Sequence, residues 1–92
     1  MKFEWDPKKD RTNRIKHGID FETAKNLWSD ENRIEILAPY PLEDRRILIA
    51  KYSDKLWTAI YTVRRAAIRI ISVRRARSKE VDLYEKEKLR QE

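Results

Sequence analysis

The sequence predicts an α+β fold, a twisted antiparallel sheet of four or five strands with two N-terminal helices and one C-terminal helix. Three observations support this fold class. Helix-capping residues and apolar residues at helical spacing occur before about residue 32, and β-branched and aromatic residues dominate residues 33–75. The later connections are too short for a crossover helix, so these strands are expected to run antiparallel. The 92 residues suffice for one small domain, which we place over residues 1–92.

A short strand and a helix are predicted at the start of the chain. Phe3 and Trp5 alternate with polar residues, as the residues of a strand do. Asp6 is a suitable N-cap, and Gly18, the only glycine, suits the left-handed position that follows a helix. These two signals predict a helix over residues 7–17.

Two further helices are predicted, one after the first helix and one at the C-terminus. Asp20 caps the earlier of the two, which is expected to end between Ser29 and Asn32. Its apolar face is formed by Phe21, Ala24, Leu27 and Trp28. Ser78 caps the C-terminal helix, and the alternating charges that follow predict that the tail after about residue 86 is frayed.

Four strands are predicted over residues 33–38, 45–52, 56–64 and 67–75. Pro39 and Pro41 interrupt the strand pattern after the first of them. The third is apolar on both faces, so we expect it at the centre of the sheet. The Arg65–Ala66 turn lacks the Gly, Asn or Asp that tight hairpins favour, which predicts strain or a longer turn there.

An arginine cluster is the strongest sign of function. The net charge is +6, and no acidic residue lies between Asp54 and Glu80. The cluster consists of Arg64, Arg65, Arg69, Arg74, Arg75 and Arg77. A guanidinium keeps its charge and offers paired donors that match phosphate oxygens. Simple alternation places Arg69 and Arg75 on one side of the last strand and Arg74 on the other, so only two or three can converge. The alternative is that the arginines lie on a solvent-exposed edge strand, where their positive charge prevents that strand from pairing with another chain.

Three further side chains are candidates for binding or catalysis. Lys16 and His17 close the first helix, and an imidazole, whose ordinary pKa is about 6.5, suits proton transfer near neutral pH. The alternative is that both residues only complement the helix dipole. Tyr84 is a candidate for stacking on a base, with packing against the body of the protein as the alternative.

The composition excludes several classes of site. Without cysteine and with a single histidine, the chain has no disulfide framework, no thiol nucleophile and no cysteine-ligated zinc site. No metal or other cofactor is predicted. No apolar run approaches the roughly 18 residues that span a bilayer, and the N-terminus lacks the apolar stretch of a signal peptide. We therefore expect a cytoplasmic protein with no membrane partner.

Several motifs together resemble the BrnT toxins of bacterial type II toxin–antitoxin pairs over about residues 3–85. The motifs are Trp5-Asp6-Pro7, Asn13 with Lys16-His17-Gly18, Phe21-Glu22 with Ala24, Tyr61-Thr62 with Arg64, Arg69-Ile70-Ile71-Ser72, Arg74-Arg75-Ala76, and Glu80 with Tyr84. The resemblance implies a RelE-like ribonuclease fold, RNA cleavage that arrests translation, and neutralisation by a cognate BrnA antitoxin. It also implies that DNA is contacted only through the antitoxin complex.

Carried over by position, the resemblance implies functional roles for Lys16, His17, Arg64, Arg74 or Arg75, and Tyr84. The chain departs from the family at two places. Val63 stands where the family commonly has an acidic residue, and Arg65-Ala66-Ala67 stands where it has a glycine-bearing turn. If that carboxylate is the catalytic base in relatives, this protein uses another group or is a weak enzyme.

The predicted reaction is attack by the 2′-hydroxyl of RNA on the adjacent phosphate, which needs neither a metal ion nor a protein nucleophile. Arg64, with Arg74 or Arg75, is expected to hold the phosphate, while His17 or Lys16 transfers protons. The remaining RNA contacts are assigned to Arg65, Arg69, Arg77 and Tyr84. Two rival hypotheses are a noncatalytic basic nucleic-acid-binding module and a protein-interaction domain whose arginines meet an acidic partner.

Overall fold

A computed structural model describes residues 1–40 and 43–90 and confirms the α+β fold class. The elements in chain order are β1 (Lys2–Trp5), α1 (Pro7–His17), α2 (Phe21–Ala24) with a 3₁₀ helix over Lys25–Ser29, β2 (Ile34–Tyr40), β3 (Glu43–Tyr52), β4 (Lys55–Arg64), β5 (Ala67–Arg75) and α3 (Ser78–Arg90). The predicted interruption at Pro41 lies outside the described residues, whereas Pro39 is part of β2. The prediction of a frayed tail stays a prediction.

The five strands form one mixed sheet in the order β1-β5-β4-β3-β2. The pairs β2–β3, β3–β4 and β4–β5 are antiparallel, as predicted, and β4 is central. β1 instead pairs with β5 in parallel, with Trp5 opposite Ile70. No hairpin joins β1 to its neighbour, so the direction of β1 is not fixed by a tight turn.

The predicted caps of the N-terminal helices are present. The Asp6 side chain accepts a hydrogen bond from the backbone N–H of Lys8 at 2.9 Å, and Gly18 has φ 74° at the end of α1. The Asp20 side chain accepts from the N–H of Thr23 at 2.8 Å. The second helix has one α-helical turn before it tightens into the 3₁₀ helix, and it ends at Ser29, within the predicted interval.

The hairpin between β4 and β5 is tight and strained. Arg65 has φ 49° and Ala66 has φ 65°, so both residues of this two-residue turn are left-handed. A non-glycine residue in this region costs about 1 to 2 kcal/mol. The predicted strain is therefore confirmed, and the turn is not lengthened to avoid it.

The two faces of the sheet are covered differently. The face that carries Trp57, Ala59 and Tyr61 packs against α2 and the 3₁₀ helix, and we call it the α2 face. Trp28 meets Tyr61 edge to face, with 5.2 Å between ring centroids. The opposite face carries Thr58, Ile60 and Thr62, and we call it the α3 face because α3 packs over the end of it that contains Thr58.

A register shift in the β4–β5 pair changes which side chains share a face. Ile60 is opposite Ser72, but Tyr61 is opposite Ile70, so Ile71 is an extra residue in β5. Such a bulge reverses the alternation of side chains along a strand. Arg69, opposite Thr62, and Arg74, opposite Thr58, therefore both lie on the α3 face. The prediction that they lie on opposite sides was wrong because it assumed an unbroken strand.

Candidate functional site

A cavity of about 260 Å³ lies between α1 and β5. Its polar lining consists of Lys8, Lys9, Thr12, Asn13, Lys16, His17 and Ser72. We call this cavity the α1 groove. It contains Lys16 and His17, the two predicted proton-transfer residues, and brings them to the strand that carries the predicted arginines. Both residues also lie in the last turn of α1, so the geometry is compatible with the helix-dipole alternative as well.

Asn13 fixes the groove by joining α1 to the edge of β5. Its side-chain Nδ2 donates to the carbonyl oxygens of Ile19 and Val73, each at 2.9 Å. Its Oδ1 accepts from the N–H of Val73, also at 2.9 Å. The pairing of β1 with β5 ends at Ile70. The Asn13 amide therefore pairs with the backbone N–H and carbonyl of Val73, which a neighbouring strand would otherwise do. Sequence reasoning missed this role, although an asparagine in mid-helix, where it is unfavourable, was a usable signal.

Arg64, Arg65 and Arg69 form a second basic group around the β4–β5 hairpin. A cavity of about 490 Å³ there is lined by Glu4, Arg64 and Arg65, and we call it the hairpin cavity. Arg69 Nη1 lies 2.8 Å from Glu4 Oε2. Arg69 is opposite Thr62, so Arg64 is its diagonal neighbour on the α3 face, with about 7 to 8 Å between the two positions. Sequence reasoning did not single out Glu4, because its pairing depends on the parallel contact of β1 with β5.

Arg74 is neutralised within the fold. Its Nη1 and Nη2 donate to the two carboxylate oxygens of Glu80 at 2.8 and 2.9 Å. Glu80 Oε1 also accepts from the Thr58 hydroxyl at 2.9 Å and from the N–H of Arg77 at 2.7 Å. The Arg74 hydrogen bonds are the main reason that the pKa of Glu80 falls to about 2. The same hydrogen bonds raise the pKa of Arg74. This arrangement argues against the predicted contact between Arg74 and a phosphate.

Three other predicted residues lie apart from the two cavities. Arg75 is opposite Trp57 on the α2 face, and its guanidinium carbon lies 5.5 Å from the centre of the Trp57 ring. Arg77 is exposed beside the start of α3. Tyr84 is 1% exposed, and its hydroxyl donates to Asp30 Oδ2 at 2.7 Å. Burial raises the pKa of Tyr84, and its ring offers no face to a base. The packing alternative for Tyr84 therefore agrees with the structure.

The six arginines consequently do not form one patch. Arg64, Arg65 and Arg69 lie around the β4–β5 hairpin. Arg74 is paired with Glu80 of α3, and Arg75 lies on the α2 face. Ser72 and Arg69 are opposite Ile60 and Thr62, which are two residues apart on β4, so about 7 Å of strand separates them. The hairpin group and the α1 groove thus occupy adjacent stretches of β5, and a strand of nucleic acid running along β5 can contact both.

The described part of the chain contains neither a metal-binding cluster nor a membrane-spanning helix. No group of three or more His, Cys, Asp or Glu side chains is placed to hold a metal ion within residues 1–40 and 43–90. Among the helices described, none has the length and apolar character needed to traverse a bilayer.

The sequence matches one protein-family model over most of its length. A family model described as ribonuclease toxin, BrnT, of type II toxin-antitoxin system matches residues 5–80. The matched region covers most of the chain and contains α1, the whole sheet from Trp5 onward and Glu80. No curated protein matches this sequence.

Proposed function

This chain belongs to the BrnT family of ribonuclease toxins of type II toxin–antitoxin systems, and we propose that it cleaves RNA by 2′-hydroxyl attack without a metal ion. The observation that carries the proposal is the α1 groove, where His17 and Lys16 line one cavity with Ser72. The family supports a ribonuclease in general, and the groove supports this particular chemistry.

The reaction divides into two proton transfers and one displacement. The 2′-oxygen bonds to phosphorus while the bond from phosphorus to the 5′-oxygen breaks, which leaves a 2′,3′-cyclic phosphate and a 5′-hydroxyl. One group takes the proton of the 2′-hydroxyl, and one gives a proton to the leaving oxygen. We assign His17 as the base that takes the proton of the 2′-hydroxyl, because an imidazole suits proton transfer near neutral pH, and a water molecule gives a proton to the leaving 5′-oxygen.

Charge on the reacting phosphate is offset by the neighbouring cations. Lys16 lies one residue before His17 and lines the same groove, so it is assigned to the phosphate oxygens. Arg64 at the end of β4 and Arg69 on β5 are assigned to the flanking RNA. Arg74 is assigned to holding α3, because both of its terminal nitrogens are occupied by Glu80.

The family description gives a ribonuclease toxin of a type II toxin–antitoxin system, and the physiological role that we propose goes beyond it. Cleavage of RNA inhibits translation in the cytoplasm, and a BrnA-like antitoxin neutralises the toxin and mediates contact with DNA. A net charge of +6 favours an antitoxin segment of acidic character.

The experiment that tests this proposal is cleavage of RNA in EDTA with analysis of the product ends. Purified wild-type protein is expected to yield 2′,3′-cyclic phosphate and 5′-hydroxyl ends at the same rate with and without EDTA. Inhibition by EDTA contradicts the metal-free reaction. Salt-sensitive binding without cleavage supports the noncatalytic nucleic-acid-binding module instead. Tight binding to an acidic protein, with no affinity for RNA, supports the protein-interaction domain.

A further inference from the structure

We propose that the α1 groove is a binding site for the sugar-phosphate backbone of single-stranded RNA, in which Lys8 and Lys9 hold a phosphate several nucleotides along the strand from the scissile one. The inference deepens the proposed function and rests on it, because it takes the scissile phosphate to lie at Lys16 and His17. None of the comparisons assigns a role to Lys8 or Lys9.

The spacing of the lysines fits two different phosphates. Lys8 and Lys16 both line the groove and are eight residues apart on α1, which is about 12 Å along a helix. A stacked nucleic-acid strand rises only about 3.4 Å per nucleotide. The separation corresponds to several nucleotides, so the two lysines fit different phosphates, and a strand that meets Lys16 at the reacting phosphate continues toward Lys8 and Lys9.

The charge of the groove is not cancelled inside the protein. Within residues 1–40 and 43–90, the lysines that line it form no ion pair, whereas Arg69 and Arg74 are paired with Glu4 and Glu80. Among the described lining residues there is no acidic side chain. A cluster of uncancelled cations in a concave surface attracts a polyanion more strongly than the same charges on a convex one.

The size and lining of the groove favour a backbone over a whole small molecule. About 260 Å³ is below the range of about 300 to 1,000 Å³ that is usual for small-molecule sites. The hydroxyls of Thr12 and Ser72 can donate to phosphate oxygens, and among the described lining residues there is no Phe, Tyr or Trp ring to stack on a base. The groove is therefore suited to bind RNA with little preference for base identity.

The test is the salt dependence of binding to a single-stranded 2′-O-methyl RNA, which lacks the attacking hydroxyl and cannot be cleaved by this reaction. The double variant Lys8→Gln, Lys9→Gln is compared with Arg11→Gln, Arg14→Gln. All four residues are exposed on α1, and each double variant removes two positive charges, but only the lysines line the groove. Affinities are measured by fluorescence anisotropy at several salt concentrations.

The lysine variant is expected to flatten the plot of log affinity against log salt concentration by about 0.7, because the two lysines hold one phosphate. The arginine variant is expected to change this slope by less than half as much. Lys8→Arg, Lys9→Arg keeps the charge and should keep the wild-type slope, which shows that the positive charge at these positions sets the slope. Equal changes in both double variants overturn the inference, because they reflect net charge alone.

The inference and the proposed function fail in different ways. If wild-type protein cleaves RNA but the slope is unchanged in the lysine variant, the groove site is wrong and the proposed function stands. If the slope depends on the lysines but wild-type protein does not cleave, the proposed function is wrong and the groove site stands. If the lysines affect binding of an acidic protein and leave RNA binding intact, the groove is a protein-docking site and the inference is overturned.

Discussion

Replacing Glu80 by Gln should destabilise the fold by removing the charge that attaches α3 to the sheet. Glu80 accepts hydrogen bonds from Arg74, Thr58 and the N–H of Arg77, and its side chain is 19% exposed. Its pKa is lowered from 4.5 to about 2. A tenfold change in proton affinity is worth about 1.4 kcal/mol, so the charged form contributes at most roughly 3 kcal/mol, and about 2 kcal/mol after solvent screening.

The sign of the pH dependence follows from the lowered pKa. The carboxylate stabilises the protein fully at a pH above the ordinary pKa of 4.5, and this contribution is lost as the pH falls toward about 2. At pH 7, Glu80→Gln should lower the melting temperature by roughly 8 to 16 °C, because 1 kcal/mol corresponds to about 4 to 8 °C in a domain of this size. The difference between the variant and the wild type should shrink as the pH approaches 2.

The measurement is thermal and urea unfolding followed by circular dichroism between pH 2 and pH 7. Glu87→Gln is the matched control, because Glu87 lies on the same helix and pairs with Arg90, whose side chain is 76% exposed. Arg74→Gln should also destabilise, and the double variant with Glu80→Gln should be less unstable than the sum of the two single variants. Equal melting temperatures for Glu80→Gln and Glu87→Gln at pH 7 would refute this reasoning.

Three further predictions concern side chains whose contacts are specific. Asn13→Ala leaves the backbone groups of the buried β5 edge unpaired and should cost about 3 kcal/mol in urea unfolding, whereas Asn26→Ala, at an exposed site, should cost less than about 1 kcal/mol. Tyr84→Phe removes the hydrogen bond to Asp30 and should cost about 1.5 to 3 kcal/mol with unchanged RNA affinity in anisotropy measurements; a selective loss of RNA affinity contradicts the buried placement. Ala66→Gly relieves a left-handed residue and should raise the melting temperature by several degrees, so a decrease contradicts the assigned strain.

Local features of the fold could be predicted from the sequence because they depend on neighbouring residues. The caps at Asp6 and Asp20 and the left-handed glycine at Gly18 are interactions within a few residues. The strands from β2 to β5 follow from short connections and β-branched composition. The strain at Arg65 was predictable for the same reason, because the turn residues themselves are unsuitable for φ above zero.

The assembly of the candidate site could not be predicted because it depends on contacts between distant residues. The bulge at Ile71 arises only when β5 pairs with β4, and it decides the face on which Arg69 lies. Asn13 reaches Val73 across 60 positions of the chain, and Arg69 reaches Glu4 across 65. Composition showed that arginines were abundant, but not that Glu80 neutralises Arg74 or that Arg75 stacks on Trp57.

The most direct test of the central claim compares RNA cleavage by His17→Gln and Arg75→Gln. His17 lines the α1 groove, whereas Arg75 lies against Trp57 on the α2 face. Loss of a proton-transfer group costs about 10² to 10⁴ in rate, so His17→Gln should cleave at least 100-fold more slowly while its melting temperature stays near that of the wild type. Arg75→Gln should cleave within about twofold of wild type if only side chains near the groove take part. A fully active His17→Gln together with an inactive, folded Arg75→Gln would place the reaction on the opposite face of the sheet and contradict the account.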